Sequence, residues 1–206
     1  MPHFLSERLT SAASPAGHCA TEDCLILQYH RVALLSHDPL RLAVQPCNFE
    51  RQMEYLATSF NVISMSELKQ HLLTATPFRD HTVVVTFDGG YSDVLYTAKD
   101  VLERFEIPAT VFVPSFNLME RTQFWRDALE DALIASGPRH RLVMELDGQR
   151  HCWPLASQYD RFLAFDDLYE ILSTKTPSEQ REIVAEIAGS LDGLGEEFDS
   201  HATLSI

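Results

Sequence analysis

Residues 82–93, TVVVTFDGGYSD, run from an unbroken β-branched segment straight into a glycine turn that presents carboxylates. Three consecutive valines followed by Thr86 and Phe87 leave no room for polar alternation, which predicts a strand covered on both faces, as in a parallel sheet. Asp88 arrives where that strand ends. Gly89 and Gly90 tolerate backbone angles that other residues resist, so the chain can turn sharply just past the acid. Ligands collect at the carboxyl ends of strands in parallel α/β folds, which makes Asp88 a candidate catalytic carboxylate. The plain alternative, that Asp-Gly-Gly is only a turn, is equally open at this point.

Upstream, CLILQY at Cys24–Tyr29 is a short apolar run that fits a buried first strand. It ends in His30 and Arg31, so His30 occupies a strand end, like Asp88. Residues 36–46 read as a loop. Asn48 then offers an N-cap, with Glu50 in the first turn of a helix whose apolar stripe is Phe49, Met53, Leu56 and Phe60. A brief strand over residues 61–64 follows, and Ser64 with Glu67 forms a capping box that opens a second helix carrying Leu68 and Leu72. Downstream of the glycines, Val94, Ala98, Val101, Leu102 and Phe105 trace an amphipathic helix. Ile107-Pro108 ends it before a strand over 109–114. Strand, helix, strand at this spacing predicts a right-handed crossover, which opens Asp88 and Pro114-Ser115 onto one edge.

The next stretch breaks the alternation. A helix is expected over 122–136, with Trp125 among its apolar residues, and Asp147-Gly148 between two strand-like runs is a strong hairpin signal. Further helices are expected over 166–172 and from Thr176-Pro177, where Glu179 completes a capping box. Residues 123–192 therefore read as an insertion or subdomain on the α/β scaffold of residues 24–122. Residues 1–23 read as a loose leader, and residues 193–206 as the start of a return to the scaffold. Strand-like segments of parallel type are legible only at Cys24, Asn61, Thr82 and Ala109, few for a closed eight-stranded barrel, so the expectation is a fragment of a larger fold.

Composition narrows the function. A chain of 206 residues with 45% hydrophobic content suffices for a well-buried core. A formal net charge of -14 argues against nucleic-acid binding, which needs a basic patch. The four cysteines, at 19, 24, 47 and 152, form no CxxC pair, so free thiols in a reducing compartment are the simplest assignment. Neither a membrane span nor the apolar core of a secretory signal is visible, which leads to the expectation of a cytoplasmic protein.

VVVTFDGGYSD, followed by a helix and IPATVFV, resembles the polysaccharide deacetylases with the NodB-type domain. LILQYHRV and NFERQMEYLATSFNVISMSEL resemble the same family's opening strand and first helix, so the likeness spans residues 25–113. FWRDALEDAL and the later hairpin look like an insertion found in one branch. The resemblance implies a partial, distorted (β/α) barrel that hydrolyses the acetamido group of N-acetylated sugars with a bound divalent metal, commonly zinc. The metal would activate a water and polarise the amide carbonyl, while a carboxylate takes the proton from that water.

In the family's TFDDG motif the first Asp is the general base and the second binds metal with two histidines of a later H-x-x-x-H motif. Asp88 matches the base. Gly89 stands where the metal-binding Asp belongs, and none of the nine histidines lies within five positions of another. The resemblance thus implies no intact metal site here, and zinc is not expected to bind this chain. By the same resemblance His30 and Tyr91 are candidate substrate-side residues, set against the plainer readings of a hydrogen-bonded histidine and a packed aromatic. Asp93 reads either as a substitute ligand or as an acid at a helix start. Trp125 and Trp153 read as core packing or as sugar-stacking rings.

Three functions follow as expectations. The first is a carbohydrate deacetylase in a complete parent protein, with this chain alone inactive and an acetylated carbohydrate as its partner. The second is a non-catalytic carbohydrate-binding or accessory relative that has lost the metal site. The third is a metal-free glycosidase using Asp88 and Asp93 as its acid pair.

Overall fold

The computed structural model describes residues 23–115, 119, 122–135 and 140–191. Apart from Asp23, the expected leader lies outside the described residues, as does the expected return over 193–206. The described residues form two compact units, divided at Met119/Glu120.

The N-terminal unit is arranged around strand β5 (Thr82–Asp88). Strand β1 (Cys24–Tyr29) runs parallel along one edge, from Cys24 opposite Thr82 to Tyr29 opposite Phe87. The other edge is shared: β4 (Asn61–Val62) covers its start at Thr82 and Val83, and β6 (Ala109–Phe112) covers the rest from Val85 to Asp88. Among the described residues this four-stranded parallel sheet is open rather than closed into a barrel. The class is α/β, and the four strands are those expected from sequence.

Helix α1 (Pro46–Ser59), and α3 (Lys99–Arg104) with the π-helical turn Val94–Ala98 before it, cover one face of the sheet. There Val83, Val85 and Phe87 pack with Phe49, Met53 and Leu56 of α1 and with Val94, Ala98 and Val101. Val84 faces the opposite way, into a smaller cluster of Cys24, Ile63 and Leu68, the last from α2 (Met65–Thr74). Successive strand residues alternate between faces, so a strand buried on both must be apolar throughout. Each buried valine contributes about 1.5–3 kcal/mol to that core.

Two local expectations change. Helix α1 begins at Pro46, with Gln45 as its N-cap, rather than at Asn48. Proline suits the first helical position because its φ is preset and the missing N–H has no intrahelical partner to lose. Residues 36–46 are more than a loop: Ala43–Val44 (β3) pairs in parallel with Arg31–Val32 (β2). Asp38 fixes the approach by accepting from the backbone N–H groups of Leu42 and Ala43, both at 2.9 Å. The Ser64–Glu67 capping box forms as expected.

Tyr29 lies at the centre of this core, edge-on to Phe49 and stacked on Phe87, and its hydroxyl donates to Gln52 Oε1 at 3.0 Å. Burial pushes its phenol up to about 12. An unfolded tyrosine ionises near pH ~10. The contribution of neutral Tyr29 is therefore fully present below about pH 10 and is lost as pH rises toward 12. Tyr29→Phe is expected to lose less stability than the parent across that interval, measured as the urea midpoint at each pH.

The C-terminal unit contains α4 (Trp125–Glu130) with a following π-helical turn (Asp131–Ala135), strands β7 (Arg141–Leu146) and β8 (Gln149–Pro154), α5 (Gln158–Ser173) and α6 (Pro177–Leu191). The hairpin turns at Asp147 and Gly148 with φ of 53° and 73°, the positive pair that a tight two-residue connection requires. Helix α5 is longer than the expected 166–172, because Ser157 and Asp160 form a capping box that starts it at Gln158. Thr176 and Glu179 exchange the same reciprocal bonds at the start of α6. No helix among the described residues is long and apolar enough to cross a membrane.

Candidate functional site

The register of β1 on β5 decides which side chains meet at the carboxyl edge. Tyr29 lies opposite Phe87, so the next positions, His30 and Asp88, leave neighbouring strand ends together. Phe112 of β6 pairs with Asp88, and its carbonyl accepts from Gly89 N–H at 3.1 Å. Residues 113–115 therefore continue from this same edge. Asp88 is half-exposed, and its carboxylate accepts a hydrogen bond from Gln28 Nε2. Gln28 and His30 are two residues apart, so both belong to one side of the extended segment. His30 is half-buried.

Past Asp88 the backbone enters the left-handed region twice, with φ of +98° at Gly89 and +62° at Gly90. Both glycines are required sterically as well. A Cβ on Gly89 would lie 2.8 Å from Tyr91 Cε2 and 3.1 Å from Tyr91 Cδ2, and one on Gly90 would lie 2.9 Å from Val113 Cγ1. Tyr91 is fully buried, with the Arg31 guanidinium 4.6 Å above its ring. The ring thus fills the space into which any side chain at 89 would extend.

Asp93 lies in the first helical turn, as the helix-start reading has it, with αR backbone angles. It precedes the π-helical turn, but its side chain makes no capping bond there. Instead Oδ2 accepts from Arg31 Nε at 2.9 Å and Oδ1 accepts from Val32 N–H at 2.8 Å. The pair is well shielded, the side chains of Arg31 and Asp93 being 6% and 12% exposed. A buried guanidinium is a stronger attractor than a helix dipole, because little water screens it. Asp93 fastens β2 to the turn after β5, with both of its oxygens engaged there.

The structure thus brings Asp88 and His30 to one edge and places Tyr91 beneath it. Sequence reading passed over two participants. Gln28, the donor to Asp88, is a polar residue in an otherwise apolar strand, and that interruption was its signal. Arg31 is a charge just beyond the same strand, and its partner 62 positions away is set by tertiary structure. Of the aromatic candidates, Trp153 is a core residue with Nε1 donating to Asp167 Oδ2 at 2.5 Å. Trp125 is half-buried and stacked on Tyr169.

The described residues at this edge do not fit the divalent metal that the family resemblance implies. Gly89 has no donor, its side-chain direction is taken by Tyr91, and both Asp93 oxygens are engaged. Among the described residues no cluster of three or more His, Cys, Asp or Glu side chains has metal-holding geometry.

No protein-family model and no curated protein matches the chain. Among solved structures it is similar to the Streptococcus pyogenes deacetylase PplD in complex with acetate, at 21% identity and a TM-score of 0.42, covering 51% of this chain and 50% of that one. It is similar to IcaB from Ammonifex degensii at 22% identity and a TM-score of 0.40, covering 69% and 49%. A polysaccharide deacetylase from Bacillus cereus gives 21% identity and a TM-score of 0.40, with 52% and 34% covered. The chain spans about half the length of the first two. PplD is a deacetylase and the Bacillus cereus protein a polysaccharide deacetylase, and at these identities the similarity concerns the fold alone.

Proposed function

We propose that the chain carries the base-presenting part of a deacetylase-like protein that hydrolyses the acetamido group of an N-acetylated carbohydrate. The observation supporting this reading most is Asp88, a half-exposed carboxylate at the carboxyl end of the central parallel strand, held by Gln28. It stands in a sequence that resembles the family's base motif. In this reading Asp88 takes the proton from the water that attacks the amide carbonyl. His30 faces substrate from the neighbouring strand end, and Tyr91 supports the turn from below. Residues 123–192 are an insertion carried on this scaffold.

Amide hydrolysis also needs an electrophile at the carbonyl oxygen, and the described residues bring none to this edge. We therefore expect the chain alone to release no acetate from an N-acetylglucosamine oligomer. In a longer protein that contains it and is active, Asp88→Asn is expected to lower kcat by about 10²–10⁴-fold with little change in KM. An active protein indifferent to Asp88→Asn overturns the assignment.

A second reading, a non-catalytic carbohydrate-binding relative, is favoured by the Tyr91 ring lying where a side chain at 89 would go. It expects binding of the same oligomer that persists with a chelator and with Asp88→Asn. Loss of binding under either condition counts against it.

A further inference from the structure

We propose that the position where the resembled family carries its metal-binding aspartate is closed in this chain by the Tyr91 ring, so that a carboxylate restored at 89 creates no metal centre. The proposal rests on the family reading for what position 89 would otherwise hold. What it adds comes from the geometry of the turn.

Three features act together. The Gly89 backbone sits at φ +98°, where a side chain is strained whatever the surrounding space. The Cβ direction ends on Tyr91 at 2.8 Å, closer than carbon atoms approach without displacement. The ring cannot readily give way, because Tyr91 is fully buried and lies under the Arg31 guanidinium, itself held by Asp93. Moving the ring means moving a shielded ion pair. Gly89 is therefore a working part of the turn, and its replacement by aspartate strains the turn before it offers a ligand.

The test reads metal uptake and melting and uses no carbohydrate, so its failure is separate from failure of the deacetylase reading. Gly89→Asp is expected to melt below the parent chain, with no upward shift in excess zinc. A zinc-dependent rise of several degrees, the mass-action signature of a formed site, overturns the proposal. A second arm tests the ring itself: Gly89→Ala is compared in the parent and in a Tyr91→Leu background. The drop in melting temperature caused by Gly89→Ala is expected to be at least halved when the ring is gone. Folding of Gly89→Ala only in the Tyr91→Leu background supports closure equally. An undiminished drop, or failure to fold in both backgrounds, refutes it.

Discussion

Asp93→Ala is expected to destabilise the N-terminal unit by about 3–5 kcal/mol, the usual cost of removing one partner from a buried ion pair. Two losses combine. Arg31, 5% exposed, loses the carboxylate that accepts from its Nε at 2.9 Å. The N–H of Val32, a fully buried residue, loses the acceptor it had at 2.8 Å. Asp93→Asn separates these losses, since an amide oxygen still accepts from Val32 while the counter-charge disappears. It should fall between Asp93→Ala and the parent. Urea unfolding followed by far-UV circular dichroism measures all three, and equal midpoints for Asp93→Ala and the parent would mean that the pair carries no stability. The same comparison separates a structural Asp93 from one waiting at a helix start, which would cost only about 0.3–1 kcal/mol to remove.

Phe87→Ala is expected to cost about 3–5 kcal/mol in the same measurement. The ring is fully buried between Tyr29 and Phe49, with centroids 5.5 Å and 5.9 Å away. Its removal leaves a void that neither the β1–β5 register nor the first turn of α1 can close. Phe87→Leu, which retains most of the volume, should cost less than half as much. Because Phe87 immediately precedes Asp88, the two variants also report on the site: a strand end that shifts into the void takes the carboxylate away from Gln28. Equal costs for Ala and Leu would show that the aromatic cluster is not the packing unit described here.

Much of the fold was legible because it depends on short-range rules. The unbroken TVVVTF run announced a strand covered on both faces, and the sheet has helices on each side. Ser64-x-x-Glu67 and Thr176-x-x-Glu179 marked two helix starts, since a capping box is satisfied within four residues. Asp147-Gly148 marked the hairpin for the same reason. The start of α5 at Ser157-x-x-Asp160 follows the same pattern with a shorter acid. Residues 31–44 were illegible because two-residue strands carry no period to read, and their pairing is held by Asp38 and by partners elsewhere in the chain.

For the site, the sequence by itself determined that an acid would end the central strand and that two glycines would follow it. It also determined that no aspartate stands at 89. Those are matters of residue identity and of backbone permission at neighbouring positions. Only the tertiary structure decided that Gln28 holds Asp88, that Asp93 belongs to Arg31, and that the space beside Gly89 is filled by Tyr91. Each of those depends on strands and turns far apart in the chain arriving within a few ångströms, and the register of parallel strands, not any local pattern, sets that meeting.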